Sequence, residues 1–231
     1  FRIIFTLTIF SFATLVFAID EYDAIEFREL NLSLIAAAKD GDIDRVRQRL
    51  EEGASVKARN RFGNTALISA TRAGNLNIVK LLVEKGSSVD MVNTNAETAL
   101  MNAASGGHED IVDYLINNNA NISKLSVKNT SALMEAVFAG HPSIVKTLLK
   151  FYADVSVEDH LGKTTLNYAA AKGNVEIIQM LVEHGADINR QSENNLTSLM
   201  WAAGYGKTEA VEILLKLGAD ATLKDNRGMT A

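Results

Sequence analysis

Apolar and small residues along the chain return at a fixed interval. Leu34, Leu67, Leu100, Leu133, Leu166 and Leu199 each stand 33 residues after the last (67 − 34 = 33, and so onward). Gly41, Gly74, Gly107, Gly140, Gly173 and Gly206 keep the same spacing. A third row, Gly53, Gly86, Asn119, Tyr152, Gly185 and Gly218, keeps it again with two substitutions. Three rows in register without an insertion define a tandem repeat. A period of about 20 to 50 residues means stacked supersecondary units.

Inside one period the pattern predicts two helices and a turn. Between Asn60 and Asn93, the polar stretch NRFGN leads to Thr65, a residue type whose side chain caps a helix start. A short helix over ALISATRA follows, and Gly74, free to take positive φ, ends it. Leu76, Ile78, Val79, Leu81, Leu82 and Val83 then make the broad apolar stripe of a second, more buried helix. Gly86 stops it, and SSVDMVN runs extended into the next turn. The single proline, Pro142, falls at the start of a second helix, where a missing N–H is tolerated.

These rows resemble the ankyrin repeat, whose signature is Thr-Pro-Leu-His. The Thr and Leu positions are held by Thr65/Leu67, Thr98/Leu100, Ser131/Leu133, Thr164/Leu166 and Thr197/Leu199. The proline gives way to Ala66, Ala99, Ala132, Thr165 and Ser198, and the histidine to Ile68, Met101, Met134, Asn167 and Met200. The resemblance runs from about residue 31 to the end. It implies an all-α ankyrin-repeat solenoid of stacked helix-turn-helix units with β-hairpin-like turns. It also implies a protein that binds other proteins and is not an enzyme.

The repeats divide as 31–60, 61–93, 94–126, 127–159, 160–192 and 193–225, with a partial unit at 226–231. Arg45, Arg47, Arg49, Glu51 and Glu52 give the first unit the polar outer face that a terminal repeat needs. Residues 226–231 begin another turn and supply Thr230, one residue short of the leucine due next, so the expectation is a truncated sequence. The rival reading makes the stack the recognition arm of a larger enzyme or toxin whose catalytic domain lies beyond residue 231.

Residues 1–18 differ from the rest: Arg2, an apolar run, then Val16 and Ala18 at the −3 and −1 places of a cleavage site. This is the anatomy of a signal peptide, and the run is shorter than the roughly 20 residues of a spanning helix. The expectation is an exported protein, periplasmic or secreted, resembling exported bacterial ankyrin-repeat proteins. Its mature chain would start near Ile19, with residues 19–30 as an acidic leader or extra helical turn. Once the leader is removed no membrane contact is expected.

Candidate chemistry adds little. The absence of cysteine excludes disulfides and thiolate metal sites. A net charge of −5 without a basic run argues against nucleic acid as partner. His108 and His141 both follow a helix-ending glycine, and their equivalents are Asp42, Asn75, Asn174 and Lys207. A polar residue bonding the turn satisfies all six better than a metal ligand does. Ser105, His108 and Asp110 invite a nucleophile reading, but the Ser105 slot elsewhere holds Arg72, Phe138, Ala171 and Gly204. No catalytic residue, metal or cofactor is expected, and the molecule is read as a monomer.

The resemblance implies that the first helices line a concave face. Periodicity places Arg72, Asn102, Glu135, Phe138, Tyr168, Lys172, Trp201 and Tyr205 there, with Ser69 among the smaller residues. Phe62, Lys128, His160, Leu161, Lys163 and Asn194 fall at or beside the hairpin tips. Aromatics are only 6% of the chain, yet four of these face residues are aromatic, and large aromatics on a surface stripe are typical interface anchors. The competing reading has them filling gaps between neighbouring helices. As an anchor, Trp201 could be truncated with little change in melting temperature.

Overall fold

The structure is a computed structural model that describes residues 24–231; the expected signal segment, 1–18, lies outside the described residues. Helix α1 occupies 24–40. It is followed by α2 (Ile43–Glu51), α3 (Ala66–Arg72), α4 (Leu76–Glu84), α5 (Ala99–Gly106), α6 (Glu109–Asn117) and α7 (Ala132–Ala139). The remainder are α8 (Pro142–Lys150), α9 (Thr165–Lys172), α10 (Val175–Glu183), α11 (Ser198–Gly204) and α12 (Thr208–Lys216). The helices follow one another as six pairs in chain order, and from α3 onward each first helix packs on its own second helix and on the first helix of the next pair. Among the described residues extended pairing is limited to one isolated antiparallel bridge, Glu158 with Thr164.

The first helices begin where a hydroxyl can take an orphan amide. Thr65 accepts from the N–H of Ile68, Thr98 from Met101, Ser131 from Met134, Thr164 from Asn167 and Thr197 from Met200, at 3.1–3.3 Å. Each such cap is worth about 1 kcal/mol of helix stability. Asn167 returns the favour by accepting the Thr164 N–H at 2.9 Å. Pro142 is the first residue of α8, as its missing donor requires.

The leucine row forms the spine of the core. Leu34, Leu67, Leu100, Leu133, Leu166 and Leu199 are all buried. Behind them Val46, Val79, Val112, Val145 and Ile178 on the second helices are buried as well. These side chains join one continuous apolar cluster running the length of the stack. In the last pair Val211 is only half-buried and Ala203 is exposed, whereas Ala38, Ala104, Val137 and Ala170 in the same slot are buried. No described unit covers that flank. At the other end α1 runs through residue 30 without a break, so the leader from residue 24 onward continues the first helix of the first repeat.

The glycines ending the first helices answer two demands at once. Gly74 and Gly107 both have φ near +75°, a conformation that L side chains disfavour. A Cβ at Gly74 would also stand 2.7 Å from the His108 ring, and one at Gly107 equally close to the His141 ring. This corrects the expected role of those histidines. They occupy the N-cap positions of α6 and α8 but make no side-chain capping bond. Their rings instead lie against the glycine of the preceding repeat.

The tips are organised by short polar side chains. Asn60 accepts the N–H groups of Phe62 and Asn64. Asn93, Ser126, Asp159 and Asp225 each do the same for residues two and four ahead. Adjacent tips are then joined by backbone bonds: Thr94 N–H to Phe62 O, Val127 to Asn95, His160 to Lys128 and Asn226 to Asn194, at 2.9–3.1 Å. Among the described residues, the bond that this series would place between Glu193 and Leu161 is not formed. There Glu193–Asn195 turns into a 3₁₀ segment, with Asn194 and Asn195 both left-handed.

In the third row, Tyr152 replaces glycine while keeping the left-handed backbone, at φ 61° with its side chain 94% exposed. A non-glycine residue there costs about 1–2 kcal/mol, partly offset by the entropy glycine loses on folding. Tyr152→Gly is therefore expected to raise stability by about 0.5–1 kcal/mol, seen as a higher urea midpoint with an unchanged slope. A fall would mean that the exposed ring holds contacts of its own.

Candidate partner-binding face

The first helices are two turns long, so residues three or four apart share a side. Glu135 and Phe138 on α7, Tyr168 and Lys172 on α9, and Trp201 and Tyr205 at α11 follow that spacing. The face divides into two stretches. Toward α3, Arg72 donates from Nε to Asn102 Oδ1 at 2.9 Å and pairs with Glu97 at 3.3 Å. Asn102 in turn donates to the Thr98 carbonyl. This end is polar and internally satisfied. Ser69, expected beside it, is buried.

Toward α11 the face is aromatic. Phe138 meets Tyr168 edge to face with ring centroids 5.5 Å apart, and Trp201 stacks on Tyr205 at 5.9 Å. Lys172 Nζ stands 4.5 Å over the Phe138 ring. Lys163 Nζ lies 4.6 Å over Trp201 and 5.7 Å over Tyr168, tying the two aromatic pairs together. Lys163 thus stands in the hairpin tip by its backbone while its ammonium reaches the helix face. Phe138 is 51% exposed and Tyr205 60%, so both rings remain available.

Tyr168 is fixed from below. Its hydroxyl donates to Asp159 Oδ2 at 2.5 Å, and Asp159 is itself buried. Burial pushes the phenol well above its usual pKa, and the hydrogen bond and charge of Asp159, then the charge of Glu135, push the same way. The ring therefore stays a neutral donor whose orientation is set by the same aspartate that organises the tip. Glu135 accepts from the Thr130 hydroxyl at 2.8 Å. Nothing in the repeat period announces this coupling of tip to face, because the neighbouring units hold Ser126 and Ser192 in the Asp159 slot.

The tip residues are placed as follows. Phe62, Lys128, His160, Leu161 and Asn194 are exposed. The carbonyls of Phe62, Lys128 and Asn194 accept bonds from the next tip, and the Arg61 guanidinium lies 4.6 Å over Phe62. Sequence reasoning did not single out Glu158 and Arg190, which pair at 2.7 Å in a cleft of ≈ 470 Å³ that Asn129 also lines. Among the described residues no three His, Cys, Asp or Glu side chains stand close enough to hold a metal, and no helix is long and apolar enough to cross a membrane.

Capped helix pairs stacked at a fixed period, with neighbouring tips hydrogen-bonded along one edge, define an α-solenoid. A family model described as ankyrin repeats (3 copies) matches residues 34–126, 85–159 and 133–225, and the chain belongs to the ankyrin-repeat family. The first and third matches start three periods apart (133 − 34 = 99), both on the leucine row. Ankyrin repeats are generally protein–protein interaction modules. A comparison with curated proteins finds no match.

Trp201 is half-buried against the core, and its indole N–H is buried without a partner. The expectation that its loss leaves stability untouched is revised accordingly. Trp201→Ala is expected to cost about 1–3 kcal/mol and Leu133→Ala about 2–5 kcal/mol, since only the leucine is wholly enclosed. Equal losses in denaturant titrations would make Trp201 purely a core residue.

Proposed function

We propose that the chain is a non-catalytic interaction protein that holds a protein partner on the concave face of its first helices, and that it works after export. The observation that carries the binding reading is the aromatic stretch. Phe138 and Tyr205 are held in ordered ring contacts yet keep half or more of their surface open. Exposed aromatics held rigid in this way present large contact area with little entropy left to lose, which is the profile of an interface anchor. The export reading rests on the signal-like residues 1–18 and the absence of cysteine.

Capture from an exported fraction with immobilised protein tests the binding reading. The Phe138→Ala/Tyr205→Ala variant is expected to lose the partners that the wild type retains, while melting within a few degrees of it (about 1 kcal/mol or less for exposed positions). Retention of the same partners by the variant would contradict a binding role for this face.

A further inference from the structure

The inference rests on the reading of this face as a binding surface and specifies what kind of chain fits it. Neither Lys163 nor Lys172 takes part in an ion pair among the described residues. Both ammonium groups sit over ring faces. A ring face attracts the charge but accepts no more than one of the three N–H donors, so Lys172 over one ring and Lys163 over two each keep a donor open to an incoming acceptor.

Of the two carboxylates nearby, Asp159 is fully engaged and Glu135 is tied to the scaffold through one oxygen. Asp159 accepts the N–H groups of Leu161 and Lys163 through one oxygen and the Tyr168 hydroxyl through the other, and it is buried. Glu135 accepts from Thr130. What the aromatic stretch offers outward is two ammonium groups without a carboxylate partner among the described residues, flanked by the open rings of Phe138 and Tyr205. This stands against a chain whose net charge is −5.

We propose that this face takes an extended peptide segment that combines Asp or Glu with aliphatic or aromatic side chains. Its carboxylates reach Lys163 and Lys172, and its apolar side chains lie over Phe138 and against Tyr205. The stretch crosses the three neighbouring helices α7, α9 and α11. At about 8–10 Å between packed helix axes it spans about 20 Å, the reach of some six extended residues. Rings beside cations also suit single-stranded nucleic acid. The acidic balance of the chain and the absence of a basic run weigh against that occupant.

Selection of a display library of random peptides of about twelve residues against the full chain tests the proposal, followed by polarisation titrations with the fluorescein-labelled leading peptide. Enrichment of Asp and Glu beside Leu, Ile or Phe is expected. Binding should weaken about tenfold in Lys163→Gln/Lys172→Gln, and also fall as salt rises from about 50 to about 300 mM. Neutral or basic peptides that lose binding in Phe138→Ala/Tyr205→Ala but ignore the lysine changes would overturn the acidic specificity and leave the binding face standing. Tighter binding of a labelled oligothymidine than of any selected peptide would overturn the choice of occupant. Peptides indifferent to both pairs of substitutions, or no binders at all, would overturn the binding face as well.

Discussion

No single repeat in this chain can hide its own apolar side. From α3 onward, a pair of helices of seven to nine residues leaves the leucine of the first helix and the valine or isoleucine of the second facing outward along the stack. Only the next pair covers them. Most other features serve that requirement. The hydroxyl caps start α3, α5, α7, α9 and α11 at the same height, and the left-handed glycines let the second helix turn back beneath the first. The histidines after those glycines fill the space beside the preceding repeat, and the tip bonds hold adjacent units in register. The half-covered Val211 and exposed Ala203 show what the same surface looks like without a neighbour.

The period made the architecture legible in advance. Leucine and glycine rows, the hydroxyl before each first helix from α3 onward and the proline opening α8 all occupy the places their chemistry dictates. What the period conceals is the contact between side chains in different units. His108 and His141 read as turn-bonding groups, because a sequence row says what each slot holds and not what presses on it from the neighbouring repeat. Lys163 is a tip residue by its backbone, and the period does not reveal that its side chain is long enough to reach Trp201. Trp201 shared its slot with Tyr168 and Glu135, so its partial burial was hidden by the periodicity that located it. Tyr152 is the opposite case, with a row of glycines foretelling the left-handed backbone that a tyrosine adopts.

The two ends of the first-helix face differ in how their polar groups are used. Arg72, Glu97 and Asn102 satisfy one another, so a partner would have to break those bonds before making its own. Across α7, α9 and α11 the carboxylates are engaged with the scaffold, while the ammonium groups and ring edges are left open. A backbone that repeats along the stack, apart from the Glu193–Asn195 tip, thus carries a non-uniform surface. Asp159 shows how scaffold and face are linked: one carboxylate closes a tip and fixes Tyr168.

Native-state amide hydrogen exchange tests most directly whether each unit is stable only through its neighbours. The account predicts the slowest exchange in α5 to α8, faster exchange toward both α1 and α12, and a drop centred on α5, α7 and α9 when Leu133 is cut to alanine. Uniform protection from end to end, or a Leu133→Ala effect confined to its own helix pair, would contradict it.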